Sequence, residues 1–317
     1  MSEAKPAQTS NAKSWPSLPY DAWQPTYDTL HMWMQIVGKV RMELMPPSNH
    51  WWHVPLYVTA RGMTTSAIPC GDRVLQIDFD FVSHELLLAT SDGQQRKIAL
   101  EPKSVANFYA EFVRALRELG VSVNIWTTPV EVPDPIPFEE DHKHASYDRE
   151  QVERFHRVLT SILPVFEEFR GEFLGKSSPV HFFWGSFDLA LTRFSGRRAP
   201  ARPGADPVTA EAYSHEEISV GWWPGGTGVT GVSLQEPVFY AYAAPEPQGF
   251  SSAPVRPAQA FYSKDFGEFL LRYEDARKAP DPGSALLEFL QSTYDAGANL
   301  GKWDRASLER MPSGKAA

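Results

Sequence analysis

The stretch "NHWWHV" sets His50 and His53 on either side of the tryptophan pair Trp51-Trp52, directly before the alternating run "HVPLYVTA". Imidazoles serve either as metal ligands or as proton carriers near neutral pH. A zinc or iron centre needs about three or four donors converging on one point. His50 and His53 are three apart, an offset that on a strand gives opposite faces. His142 and His144, two apart beside Glu139, Glu140 and Asp141, have suitable chemistry, but they lie in a proline-rich stretch where a solvated charge run is the ordinary reading. His215 with Glu216 and Glu217 is open to both readings. The best combination is His53, His181 and His215, because each opens or precedes a strand. These three are the expected metal ligands or acid–base groups. A divalent metal is compatible with them, and nothing in their spacing identifies one.

A second candidate is "GKSSPVHFFWGSFDLALTRFSGRR". In strand parity Trp184, Ser186, Asp188 and Thr192 share one face, and His181, Phe183, Phe187, Leu189 and Arg193 the other. A buried carboxylate without a partner is costly. Asp188 is therefore expected to line a wet cavity or to pair with Arg193, Arg197 or Arg198, and Asp188 and Arg193 are predicted to orient the histidines or the substrate. The serine, histidine and aspartate of "HFFWGSFD" do not make a hydrolase triad, since residues on one strand cannot form its relay. Asp78 and Asp80 lie on a polar strand face that reads as solvated outer sheet surface.

Adjacent aromatics carry a different signal. Trp51-Trp52 and Trp222-Trp223 cannot both point inward from a strand, so one of each pair faces a pocket or another element. Aromatic walls with a few polar groups are the usual make-up of a small-molecule site. Trp51, Trp52, Tyr57, Arg61, Trp184, Trp222, Trp223 and Tyr240 are the predicted ligand-binding residues.

The elements that must position these groups follow from periodicity. In "TYDTLHMWMQIVGKVRMELM" Leu30, Trp33, Met34, Val37, Val40 and Leu44 recur at helical spacing, and Pro46-Pro47 stop the run. Strands follow in "HVPLYVTA" and "VLQIDFDFV", with a hairpin in "HELLLATSDGQQRKIAL" turning at Asp92-Gly93. A helix starts near Ser104 and ends at Gly120. The order then repeats: a helix from Gln151 to Leu174, strands in "VHFFWGSFDLALTRF", "EISVGWW", "VFYAYAA" and "FGEFLLRY", and a closing helix from Asp281. Glu101-Pro102-Lys103-Ser104 and Asp281-Pro282-Gly283-Ser284 echo one another at matching points. The expected fold is α+β: two related helix–antiparallel sheet–helix halves, packed as one body and suggesting an internal duplication. The expected boundaries are a tail at 1–18, a first half at 19–128, a proline-rich connector at 129–147, a second half with loop insertions at 148–308 and a tail at 309–317.

Composition narrows the function. The net charge of −9 repels phosphate backbones, which argues against nucleic acid as a partner. The single cysteine, Cys70, cannot form an internal disulfide and suits a reducing compartment. No apolar run is long enough to span a membrane. A soluble cytoplasmic protein that handles a small molecule is the expectation.

The strings "PTYDTLHMWMQIVGKVRMEL", "NHWWHVPLYVTARG", "IDFDF", "EFRGEFLGKSSPVHFFWGSFDLALTRFSGRRAP" and "ALLEFLQSTYDA" resemble a family of bacterial proteins catalogued only as a domain of unknown function (DUF5996). The resemblance spans about Trp15 to Trp303 and implies a bacterial, cytoplasmic, single-unit protein. It implies no activity, cofactor or catalytic residue. The residues themselves favour a small-molecule enzyme with histidine-based metal or acid–base chemistry, the alternative being a non-catalytic binding or interaction protein.

Overall fold

A computed structural model describes residues 15–228 and 231–310. Helix α1 (Tyr20–Leu44) begins about two turns before its apolar pattern does and is buried along nearly its whole length. The buried positions include Thr29, Gln35 and Lys39 as well as the predicted stripe, because the helix runs through the middle of the molecule.

The first sheet is wholly antiparallel. Its strands are β1 (Tyr57–Val58), β2 (Gly62–Thr64), β3 (Ile68–Cys70), β4 (Arg73–Asp80), β5 (Glu85–Thr90) and β6 (Gln95–Ala99). They lie in the order β1-β2-β4-β5-β6, with β3 beside β4. The run predicted as a strand from His53 to Ala60 keeps only Tyr57–Val58, plus a single bridge at Leu56. Pro55 lacks the N–H that a longer ladder needs there. Helix α2 (Val105–Glu118) is capped by the Ser104 hydroxyl, which accepts from the Asn107 amide. Asp148 caps α3 (Arg149–Gly171) in the same way.

The second sheet holds β7 (His181–Phe183), β8 (Asp188–Arg198), β9 (His215–Trp223), β12 (Val238–Ala244), β13 (Phe261–Ser263) and β14 (Glu268–Arg272). Its order is β13-β14-β12-β9-β8-β7, again antiparallel. A small hairpin, β10 (Gly226–Thr227) with β11 (Ser233–Leu234), stands apart from it. Short helices α4 (Pro207–Ala212) and α5 (Tyr273–Arg277) precede the long α6 (Pro282–Leu300), and α7 (Arg305–Leu308) follows it. The chain is therefore α+β with antiparallel sheets, as its periodicities predict.

Helix, sheet and helix recur in that order in each half. The echo at the helix starts, however, runs out of register: Ser104 caps α2, whereas Asp281, three places earlier in its own motif, caps α6. The echo therefore carries no weight for a duplication. The halves do not stand apart, since one apolar core runs through both. Leu56 and Phe182 exchange two backbone hydrogen bonds of 2.9 Å, which tie the edge of one sheet to the edge of the other.

The second sheet divides its side chains between two environments. Leu189, Leu191, Val220, Trp222, Phe239 and Leu271 turn to the apolar side covered by α3 and α6, where Trp222 meets Phe155. The register places Asp188, Thr192, Ser219, Gly221, Tyr240 and Glu268 on the other face. That face carries the site. No helix among the described residues is long and apolar enough to cross a membrane.

Candidate functional site

A cavity of about 600 Å³ lies on the polar face of the second sheet. Its other walls come from the first turns of α1, the connector around residues 131–144, the β10–β11 hairpin and the β13–β14 turn. Asp188 lies at the start of β8, just after a tight β7–β8 turn. Phe187 occupies the left-handed region there, with φ 59°. For a bulky residue this costs on the order of 1–3 kcal/mol. The ring is held by Tyr27, Phe155 and Phe182, so core packing sustains the strained turn that brings Ser186 and Asp188 to the cavity.

Asp188 is 7% exposed and accepts hydrogen bonds from the Ser186 and Tyr240 hydroxyls. Tyr240 reaches it from β12, with β9 between, by lying over Gly221. A Cβ at Gly221 would fall within the Tyr240 ring. Burial raises the Asp188 carboxyl above its ordinary range, against the pull of the two hydroxyl donors. The Tyr240 phenol is pushed well up by burial and by Asp188, so it stays a donor.

Two further carboxyls share this space. Glu268, at the start of β14, is raised to about 8, first by burial and then by Asp188. Glu131, in the connector, is raised to about 7 for the same two reasons. As a residue Glu131 is exposed, and its carboxyl lies with Oε1 over Gly185 at the cavity wall. Neither carboxyl has a hydrogen-bond or ion-pair partner among the described residues. The same holds for the hydroxyls of Tyr20 and Tyr27, which line the cavity although the residues are only 4% and 7% exposed.

Helix α1 fixes the geometry. His31 Nε2 donates to the Trp184 and Gly185 carbonyls at 3.0 and 2.9 Å and so clamps the β7–β8 turn. Burial lowers its pKa to about 4, leaving it neutral. One turn on, Gln35 Nε2 donates to the Val130 carbonyl at 2.8 Å, and the Val130 amide donates back to Gln35 Oε1 at 2.9 Å. Two neighbouring side chains thus hold Glu131 against the turn that carries Asp188.

Of the residues predicted from sequence, Asp188, Trp223 and Tyr240 line this cavity. The three histidines do not converge. His53 Nδ1 accepts from the Ser48 amide and closes its own turn. His181 is buried among Trp52, Tyr57 and Phe183, and burial drives its pKa down to about 3. His215 bonds Ser214 and lies beside His50. No group of three or more metal-ligating side chains is gathered among the described residues.

Arg193 faces away from Asp188, because five residues along one strand reverse the face. Its guanidinium stacks on Phe169 at 3.4 Å and on Tyr294 at 4.4 Å, and it donates to the Phe169 carbonyl. Asp188 lines the cavity, and hydroxyl donors stand where an arginine pair was the alternative expectation. Trp184 lies against Gly38 of α1 and donates to the Val54 carbonyl at 2.8 Å, while Trp222 is core. Trp51 and Trp52 flank His53 and His181, Tyr57 stands by Arg41, and Arg61 pairs with Asp80 on the surface. These six residues and Arg193 lie outside the cavity.

The sequence reading passed over Glu131, Glu268, Tyr20 and Tyr27. Glu131 lies in an extended proline-rich run with no period to read. Glu268 had a signal: in "GEFLLRY" it is the polar residue in step with Leu270, on the face that Tyr240 and Tyr242 share in "VFYAYAA".

Residues 15–310 match the model of a family of unknown function, nearly the whole chain. No curated protein and no solved structure matches it.

Proposed function

Because the chain belongs to DUF5996, a family whose function is unknown, we propose its activity from the cavity: a small-molecule enzyme that works by proton transfer between its carboxyls and a bound substrate. The observation that carries this is the meeting of Asp188, Glu131 and Glu268 in one cavity, the last two without a hydrogen-bond or ion-pair partner among the described residues and raised to about 7 and 8. A general acid or base is most effective when its pKa lies near the working pH. Carboxyls reach that range through burial and like charge, the two causes found here. On this reading Glu131 and Glu268 hold or move the proton. Asp188, fixed by Ser186 and Tyr240, anchors a polar group of the substrate and keeps the other two carboxyls protonated. The reducing cytoplasm of a bacterial cell is the proposed setting, in keeping with the lone Cys70.

A non-catalytic binder is the second reading. It is favoured by the hydroxyl already seated on each oxygen of Asp188, which leaves that group fewer sites for a reacting atom. Thermal-shift screening of a chemically diverse compound library, on wild type and Asp188→Asn, tests the shared premise. Compounds that stabilise only the wild type are then incubated with it and followed by mass spectrometry. Conversion that stops in Glu268→Gln supports the enzyme, and binding without conversion supports the second reading. If every stabilising compound acts equally on Asp188→Asn, the cavity is not the site.

A further inference from the structure

We infer that the molecule this cavity takes is an organic cation, a small amine or guanidine held by the Asp188, Glu131 and Glu268 carboxyls and the tyrosine rings around them. The inference rests on the proposed use of the cavity and adds the class of its ligand.

Charge is the first observation. Among the described residues seven carboxyl side chains line the cavity, against one lysine, two histidines and no arginine. Some of the carboxyls are answered within the protein. Asp141 accepts from His144 Nδ1 at 2.7 Å and from two backbone amides, and Lys143 and His144 are the cationic neighbours of Asp28. Asp134 and Asp265 are exposed at the rim. What remains is Asp188 with Glu268 and Glu131, the last exposed as a residue but coupled to Asp188, and among the described residues no cation stands against any of the three. The second histidine, His31, is neutral and spends its Nε2 on the β7–β8 turn.

The second observation is independent of charge. Tyr20 and Tyr27 are each more than nine-tenths buried as residues and line the cavity, and their hydroxyls have no hydrogen-bond partner among the described residues. Carried on otherwise buried side chains and open to the cavity, these two hydroxyls are placed to bond a polar occupant. Their rings, with Trp223, Tyr240 and Tyr242, give the π faces over which an ammonium or guanidinium is attracted. An anion would meet the like charge of Asp188 and would oppose any ionisation of Glu131 and Glu268. A neutral ligand would leave the carboxyls without their best partner.

Empty, the cavity resolves its like charges by keeping protons on Glu131 and Glu268. A cation takes the place of those protons, so binding at pH 7 releases protons to the buffer. Affinity for a cation that does not itself titrate then rises with pH through about 7 to 8 and levels off above. The groups facing Glu268 are Asp188, Tyr213, Tyr240 and Tyr262. The titratable group facing Glu131 is Asp188. The tyrosines around Glu268 are raised by burial and stay neutral through this range, which leaves the carboxyls as the titrating groups.

The probes are tetramethylammonium, 1,4-diaminobutane and phenethylamine, each beside a neutral counterpart (tert-butanol, 1,4-butanediol and 2-phenylethanol). Binding is read by titration calorimetry in two buffers of different ionisation enthalpy and by NMR shifts of the tyrosines. The expected result is binding of at least one cation at least tenfold tighter than its counterpart, with proton release at pH 7. That binding falls tenfold or more in Asp188→Asn and in Glu268→Gln, both checked for folding by circular dichroism. Equal or tighter binding of the neutral counterparts, lost in Asp188→Asn, overturns the inference and leaves the proposed function standing. If neither these probes nor any library compound is sensitive to Asp188→Asn, both fall together.

Discussion

Tyr240 and Asp188 meet through a phenol–carboxylate hydrogen bond although a whole strand, β9, separates the two that carry them. The contact depends on what β9 lacks, for Gly221 leaves the space in which the Tyr240 ring lies. Around it the other carboxyls are arranged, and each consequence below can be measured.

The first concerns charge coupling. Asp188 is a cause of the raised pKa of both Glu131 and Glu268, second to burial in each case. Asp188→Asn is therefore expected to lower both from about 7 and about 8, without returning either to the ordinary glutamate range. Carboxyl ¹³C NMR titration of glutamate-labelled protein reads this directly. Unchanged midpoints in the variant would show that the three groups are not coupled.

The second concerns Gly221. An added methyl there overpacks a site that Tyr240 already fills, a change that costs roughly 1–3 kcal/mol. Gly221→Ala should lower stability by that order in chemical denaturation. Because the clash is with the ring itself, Tyr240→Ala should remove most of the penalty, a non-additive double-mutant cycle. Strict additivity would mean that the ring does not occupy that space.

Stability should pass through a maximum in mildly acidic solution. Glu131, Glu268 and the buried Glu217 are raised to about 7, 8 and 8, each chiefly by burial. A native carboxyl raised in this way binds its proton more tightly than the unfolded chain does, so its contribution is complete below about pH 4.5 and is lost as pH rises through 7 to 8. His31 and His181, lowered to about 4 and 3 by burial, act in the opposite sense: their contribution is present above about 6.5 and is lost as pH falls toward 4 and 3. Melting temperature should fall on both sides of about pH 5–6, and Glu217→Gln should flatten the alkaline limb. A melting temperature still climbing between pH 6 and 9 would contradict this assignment.

Arg193 separates structure from site. Its guanidinium stacks on Phe169 and Tyr294 on the core face of β8. Arg193→Ala should therefore cost about 2–5 kcal/mol, as large-to-small core changes do. Arg193→Met, which keeps volume and removes a buried charge, should cost far less. Neither should change the affinity of any ligand bound beside Asp188. A selective loss of binding in Arg193→Met, with stability intact, would place Arg193 at the site after all.

Periodicity and turn chemistry, both local, determined the elements. The stripe of α1, the Ser104 and Asp281 caps, the Asp92-Gly93 hairpin and the alternation in "VFYAYAA" could each be read from side-chain spacing, and the α+β class follows from their order. Asp188, Trp223 and Tyr240, which the sequence singles out, line the cavity. Tertiary structure decided which polar residues share a space. His53, His181 and His215 look equivalent along the chain, yet each ends in a separate surrounding, because a strand start says nothing about which neighbours pack over it. Glu131 shows no pattern in sequence and joins Asp188 only because Gln35 and His31 hold the connector and the β7–β8 turn to one helix. Spacing along a chain sets the direction of a side chain within its own element. Convergence between elements is set by packing, and here it gathered carboxyls where the sequence had pointed to histidines.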